Sequence, residues 1–168
     1  MKYLQIAIGI AAFVTSVHAE WELGLESVAP TGDFSDIAEG GGGLYANIYQ
    51  EHNDNLRYNL YVGALSYGGV EGGGLKFQWF GYPVTLGGTY YLSDTDAGGP
   101  FIKGNAGLMF KLGTVTFLGE EESESETGSV VSFGGGWAFG KVNIAADYNL
   151  GNDNWTWLAI KVAWRFGK

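Results

Sequence analysis

Between Trp157 and Phe166 the chain alternates without a break: Leu158, Ile160, Val162, Trp164 and Phe166 fall on one parity, and Trp157, Ala159, Lys161, Ala163 and Arg165 on the other. Side chains that repeat every two residues face opposite sides of an extended strand, whereas a helix would spread both sets around its circumference. A ribbon with one greasy face and one face carrying cations needs an apolar neighbour for the first. Some seven similar segments precede it, and together they read as a β-barrel closed on itself whose outside meets lipid.

The opening residues give the compartment. Lys2 precedes an apolar run from Leu4 to Val14 and then the small-x-small site Val17-His18-Ala19. This is the layout of a secretory signal peptide over residues 1–19, with a single mature domain over 20–168. A transmembrane anchor would need roughly 18 to 20 apolar residues, and the run is shorter. The chain has no cysteine, which excludes a lipoprotein anchor at the leader junction, disulfides and thiolate metal sites.

Charged residues make up 16% of the chain and aromatic residues 15%, against roughly a quarter charged in soluble domains, so something other than water covers part of the surface. Of 9 basic and 18 acidic residues only Lys2 leaves with the leader. An acidic mature chain disfavours nucleic acid, which requires clustered Lys and Arg, and it disfavours direct docking on anionic headgroups.

Alternating segments are separated by Gly, Asn, Asp and Ser clusters at fairly regular spacing, the mark of an up-and-down sheet. The fold class is therefore all-β, an eight-stranded antiparallel up-and-down transmembrane β-barrel. The expected strands are Trp21 to Ala29, Gly42 to Glu51, Leu56 to Tyr67, Phe77 to Leu92, Phe101 to Leu112, Val130 to Phe139, Val142 to Leu150 and Trp155 to Phe166. With both termini periplasmic, Thr31 to Glu39, Gly68 to Gly73, Gly113 to Gly128 and Gly151 to Asn154 become extracellular connections. Those at His52 to Asn55, Ser93 to Gly99 and Gly140-Lys141 become periplasmic turns.

Composition decides which face is out. One parity set, including Tyr58, Leu60, Val62, Tyr82, Val84, Leu86, Ile102, Leu108, Phe110, Val131, Phe133, Trp137, Ile144 and Tyr148, holds no ionisable acid or base. The other holds Gly, Ser, Asn and Tyr with Glu22, Glu26, Glu51, Arg57, Lys103, Lys111, Asp147, Lys161 and Arg165. So much glycine and so little charge suits a crowded lumen better than a wet surface. Antiparallel partners have residue numbers of constant sum, and Glu22 with Arg165 and Glu26 with Lys161 share the sum 187 at the seam between first and last strands. Glu51 with Arg57, Tyr49 with Asn59 and Asn47 with Tyr61 share 108, leaving Ile48 against Leu60 on the lipid side. Buried ions cost several kcal/mol each unless paired, so the lumen network of Glu22, Glu26, Glu51, Arg57, Lys103, Asp147, Lys161 and Arg165 is expected to fix register and plug the interior. The other reading is a gated polar path in which Lys161 or Asp147 exchanges partners. Pro83, in mid-strand, predicts a bulge or kink.

Several short stretches carry a resemblance. They are Ala29-Pro30-Thr31-Gly32-Asp33-Phe34-Ser35-Asp36, Asn53-Asp54-Asn55-Leu56, Tyr82-Pro83 with Gly87-Gly88-Thr89-Tyr90-Tyr91, and Gly99-Pro100-Phe101. In this order they resemble the outer-membrane protein β-barrel domain family, the small OmpA/OmpX-type barrels, over nearly all of the mature chain. The resemblance implies a location in the bacterial outer membrane and insertion by the barrel-assembly machinery. Trp164 and Phe166 would then form the signal in the last strand, and Gly167-Lys168 after the final aromatic depart from the usual ending.

Catalysis is disfavoured, because a rim histidine as general base is missing: His18 leaves with the leader and His52 falls in a periplasmic turn. No cofactor is implied. The acidic run Gly119 to Gly128 is expected to be an extended, mobile extracellular loop. Its Glu120, Glu122 and Glu124 are weak candidates for a divalent cation that could bridge to lipopolysaccharide phosphates. Trp21, Tyr67, Tyr91, Trp137, Tyr148, Trp155 and Trp164 are candidates for interfacial girdles, with Tyr67, Tyr91 and Trp155 able to point inward instead. The partners expected are outer-membrane lipid and lipopolysaccharide, around a monomer. The leading function is a non-enzymatic barrel that stabilises the membrane or presents its loops for surface contact. A narrow transporter for a small solute and a soluble, lipocalin-like binder with inverted faces are the alternatives.

Overall fold

The computed structural model describes residues 20–69, 71–72, 75–93, 98–117, 120–152 and 154–167. The expected leader, residues 1–19, lies outside them. The strands are β1 (Glu20–Thr31), β2 (Ala38–Glu51), β3 (Leu56–Gly69), β4 (Glu71–Gly72), β5 (Leu75–Tyr91), β6 (Gly99–Phe117), β7 (Glu120–Phe139), β8 (Val142–Gly151) and β9 (Thr156–Phe166). The two-residue β4 only extends the hairpin into β5. The eight long strands pair antiparallel in the order β3-β2-β1-β9-β8-β7-β6-β5, and β3 pairs β5 to close the ring.

Closure follows the registers that charge pairing predicts. In the β1–β9 seam Glu22 opposes Arg165 and Glu26 opposes Lys161. In β2–β3, Glu51 opposes Arg57, Tyr49 opposes Asn59, Asn47 opposes Tyr61 and Ile48 opposes Leu60. A slip of one residue would carry every ion of a strand to the opposite face, so each pair pins its strand.

The faces separate as expected. Along β9 the even residues from Leu158 to Phe166 are exposed and the odd ones from Trp157 to Arg165 are buried. Leu23, Leu25, Leu44, Leu86, Ile102, Phe133 and Ile160 are each more than half exposed, a surface that only an apolar solvent can cover at low cost. At the end carrying the termini, Trp21, Tyr58, Tyr90, Trp137, Trp164 and Phe166 all face outward in a ring of interfacial aromatics. Tyr67, Tyr91 and Trp155 point inward and are buried.

Two expectations need correction. Pro83 produces no bulge: β3 pairs β5 at Val62↔Val84 and again at Leu65↔Gly81 in one register, with only the intervening positions unpaired. The β5–β6 ladder passes through Pro83↔Met109 undisturbed. The missing donor thus breaks one ladder locally without shifting it, because the ring is buried in the lumen opposite a glycine. A Cβ on Gly63 would lie 2.6 Å from the Tyr61 hydroxyl and 3.1 Å from Pro83 Cγ. Gly63→Val is expected to cost about 1–3 kcal/mol by overpacking, read as a lower urea midpoint of the refolded barrel. The register irregularity of this region lies instead in β2, between Ala38 and Gly41.

The second correction concerns the acidic run. The segment Gly113 to Gly128 is not a loop: β6 continues to Phe117 and β7 starts at Glu120, paired from Phe117↔Glu120 through Lys111↔Glu126. At 19 and 20 residues these two strands far exceed the roughly 9 to 11 that cross a bilayer, so the hairpin stands beyond the membrane. Glu51 keeps its register opposite Arg57 and is exposed at the end of its strand.

Candidate functional site

The interior is layered. Nearest the termini, Arg57 Nη1 lies 2.6 Å from Glu20 Oε2, and Arg165 Nη1 lies 3.8 Å from the same oxygen. Arg165 also donates to the Gly140 carbonyl at 2.7 Å, and the Arg57 guanidinium stands 5.4 Å from the Tyr91 ring centre. Glu22, across the seam from Arg165, accepts hydrogen bonds from Asn47 at 2.8 Å, from the Tyr49 hydroxyl at 3.3 Å and from Asn143. Glu22 and Arg165 are paired in backbone register as predicted, but the arginine side chain meets Glu20 and the Gly140 carbonyl while the carboxylate accepts from Asn47, Tyr49 and Asn143.

A middle layer holds the lysines. Asp147 Oδ2 lies 2.9 Å from Lys103 Nζ and 3.0 Å from Lys161 Nζ, and Lys161 Nζ is 3.3 Å from Glu26 Oε2. The Tyr61 hydroxyl donates to Glu26, and Lys161 Nζ sits 4.0 Å from the Tyr61 ring centre and 5.1 Å from that of Tyr45. Beside it Asn59 donates to Asn105 at 2.8 Å and Asn105 to Ser132 at 3.3 Å. In these two layers the carboxylates of Glu20, Glu22, Glu26 and Asp147 match the cations of Arg57, Lys103, Lys161 and Arg165 four for four. Such balance is what lets ions stay charged where water is scarce. Glycines make room for them: a Cβ on Gly134 would stand 2.4 Å from Asp147 Oδ1.

Towards the other end the interior turns apolar. Val28, Ala38, Leu65, Tyr67, Met109, Val130, Trp155, Trp157 and Ala159 form one buried cluster with Phe34, and Trp79 packs against it. Phe34 comes from the β1–β2 connection, where Gly32–Asp36 forms a short 3-10 turn whose other residues are exposed. Its ring stacks on Trp155 at 4.2 Å between centroids and meets the edge of Tyr67 at 5.1 Å. Lys111 closes the same end, 5.1 Å from the Trp155 ring centre and 3.6 Å from Glu126 Oε2.

The structure places Glu22, Glu26, Arg57, Lys103, Asp147, Lys161 and Arg165 in the interior. Sequence reasoning missed Glu20, the first residue of β1, and it missed the aromatic layer. The available signal was Phe34 itself, a lone aromatic among turn-forming residues. Of the metal candidates, Glu122 and Glu124 lie with Glu126 on one face of β7, with Glu120 at its first position. Among the described residues no group of three or more His, Cys, Asp or Glu is placed to hold a metal.

No family model matches the chain, and no curated protein sequence matches it significantly. Solved structures do. Ail, the attachment invasion locus protein of Yersinia pestis, superposes with a TM-score of 0.67 at 16% identity, over 88% of this chain and 97% of that one, and is also solved with the heparin analogue sucrose octasulfate. The N-terminal β-barrel domain of Pseudomonas aeruginosa OprF gives 0.54 at 15%, over 88% and 97%. Neisserial surface protein A gives 0.53 at 15%, over 89% and 97%. Eight strands, a lipid-facing belt and an ion-lined interior agree with that likeness, and the chain has the fold of the small OmpA/OmpX-type outer-membrane β-barrels.

Proposed function

We propose that the protein is a non-enzymatic outer-membrane barrel, sealed along its axis, that presents the β6–β7 hairpin to partners outside the cell. The observation that carries this reading is the free, acidic edge of β7. The strand pairs β6 from Glu120 onward but meets β8 only from Val130, and Asn152 N–H donates to the Ser129 carbonyl, so among the described residues no strand covers the other edge of residues 120–128. Glu122, Glu124 and Glu126 project exposed from one face of that segment. An uncovered ladder accepts another extended chain, and the carboxylates select one rich in Lys or Arg. A sulfated sugar such as the one solved with Ail is the wrong sign for this surface.

Buried side chains make the seal. Arg57, Asp147, Lys161, Met109, Tyr67, Trp157 and Phe34 occupy successive levels of the interior and are all nearly inaccessible. An eight-stranded barrel is only wide enough for its own side chains. Hydrolytic chemistry gains no support, since His52 is exposed in a turn at the terminus end, 5.1 Å from the Tyr58 ring. The lipocalin-like alternative requires the apolar face inside, opposite to the faces described.

Replacing residues 112–125 by Asn-Gly joins the paired residues Lys111 and Glu126 through a two-residue turn. The shortened barrel is expected to keep its heat-shifted electrophoretic mobility and its silence in a planar bilayer, while affinity for an oligolysine probe falls at least ~10-fold, the scale of losing several charge contacts. Stepwise conductance of the intact protein would favour the transporter, and unchanged oligolysine binding would remove the hairpin's role.

A further inference from the structure

The β5–β6–β7 extension beyond the membrane has two sides, and contacts with the barrel fix which way each looks. On one side Trp79 stands edge-on to Trp155 at 5.5 Å, Lys111 Nζ lies 5.1 Å from the centre of that same ring, and a Cβ on Gly113 would strike Trp79. That side closes over the mouth of the barrel. The opposite side therefore looks away from the axis, and it continues the lipid-facing wall. The β5–β6 ladder holds one register from Tyr90↔Ile102 out to Gln78↔Thr114, and β6–β7 does so from Ile102↔Gly135 out to Thr114↔Ser123, so no strand turns over on the way.

Along that outward side the chemistry changes abruptly. Leu86, Leu108 and Val131 belong to the apolar belt, and Tyr82 and Phe110, 43% and 45% exposed, stand near its outer limit. There Thr127 lies opposite Phe110, and the next rungs, Leu112 with Ser125 and Gln78 with Thr114 and Ser123, bring in further hydroxyls and an amide. In β7 Ser123, Ser125 and Thr127 alternate with Glu122, Glu124 and Glu126, so hydroxyls line the outward side and carboxylates the mouth side. Charged residues return only one rung farther, where Lys76 and Glu121 flank Thr116 in register. The Thr114 and Ser123 hydroxyls pair at 3.3 Å, which orients both and leaves a donor and lone pairs for a ligand.

Height selects the occupant. From Thr127 to Ser123 the band climbs about 13 Å along the strand, or ~9 Å in height at a tilt of roughly 45°, whereas a headgroup layer is only about 5–7 Å deep. The band thus passes phospholipid headgroups and enters a layer where a lipid with a saccharide head still has atoms. Neutral hydroxyls and an amide match sugar hydroxyls, which donate and accept in turn, and the rings of Tyr82 and Phe110 offer apolar faces to sugar C–H groups. Carboxylates kept to the mouth side spare this side repulsion from lipid phosphates. We propose that the outward side of the extension binds the saccharide of an outer-leaflet glycolipid, lipopolysaccharide, with Gln78, Thr114, Ser123, Ser125 and Thr127 hydrogen-bonding its hydroxyls and no bridging cation. The site uses none of the acidic edge of β7, so it stands or falls apart from peptide docking there.

The test places the full barrel in phosphatidylcholine nanodiscs with rising fractions of lipopolysaccharide that carries a dansyl group on its sugar, and follows energy transfer from tryptophan. Transfer should saturate, survive dephosphorylation of the lipopolysaccharide and added salt, and stay unsaturable with dansyl-phosphatidylglycerol. Thr114→Val combined with Ser123→Val, Ser125→Val and Thr127→Val keeps strand propensity and should raise the half-saturating fraction at least ~10-fold, the scale of losing several hydrogen bonds. Glu122→Gln with Glu124→Gln and Glu126→Gln, on the mouth side, should leave it unchanged. Unsaturable transfer in the intact protein, saturable transfer to the phosphatidylglycerol probe, loss of binding on dephosphorylation, or equal half-saturation in the valine variant overturns the proposal. Should four valines abolish heat-shifted mobility, the exposed pair Ser123→Ala with Ser125→Ala reads the same loss at ~3-fold or more.

Discussion

Asp147→Ala is expected to lower the unfolding free energy of the refolded barrel by about 3–5 kcal/mol, the cost of breaking a buried ion pair by removing one partner. Asp147 holds both Lys103 and Lys161 within 3.0 Å, and the side chains of all three are less than a tenth exposed. Its loss leaves two ammonium groups facing one carboxylate, Glu26, which lies 3.3 Å from Lys161 and already accepts from Tyr61. Removing charge in matched amounts should hurt far less. Asp147→Leu combined with Lys103→Met keeps the balance and the Glu26–Lys161 pair, and is expected to recover most of the loss. Urea unfolding in lipid vesicles, followed by tryptophan fluorescence and heat-shifted mobility, reads both variants. A change below about 1 kcal/mol for Asp147→Ala would mean that water reaches this layer, and the sealed barrel would fail with it.

The second large effect tests the opposite face. Ile160→Arg places a charge at the middle of β9 on a residue 55% exposed to the surroundings of the barrel. In hydrocarbon that is expected to cost about 2–4 kcal/mol, falling to roughly 0–1 for the same change at Trp164 near the interface. A water-facing surface would show no such gradient, since an exposed Arg on a soluble strand is nearly neutral. Equal and small effects at both positions would therefore overturn the lipid-facing assignment.

Much of this architecture is legible from residue order, for a physical reason. A barrel wall repeats one rule, apolar outside and small or polar inside, on every strand, and Leu158 to Phe166 states it plainly. The lumen ions add register, because a Glu and a Lys that must neutralise each other deep inside can do so from few alignments, as Glu26 with Lys161 shows. What escaped lies where those rules lapse. Five glutamates between Glu120 and Glu126 oppose strand propensity, yet the segment is a strand because β6 offers Lys111, Thr114 and Thr116 directly opposite. Thr114 and Ser123 lie 3.3 Å apart through their hydroxyls. Phe34 escaped because a loop residue has no period to betray its direction. Glu51 obeys the register but sits too close to the turn to be enclosed, a matter of position along the axis that alternation does not encode.

The four-for-four cancellation inside the wall has an electrical consequence. With those eight ions neutralised in place, the surplus acid of the described residues resides in connections and hairpin ends, and unevenly. Among the described residues the outward end carries Asp33, Asp36, Glu39, Glu71, Glu120, Glu121, Glu122, Glu124 and Glu126 against Lys76 and Lys111, while the inward end carries Glu51 and Asp54 against Lys141. The molecule is thus a one-ended electrode fixed across an insulator. Its reach is set by the medium, about 8 Å in physiological saline and about 30 Å in a hundredth-molar freshwater-like solution, so dilution alone extends the field of that end.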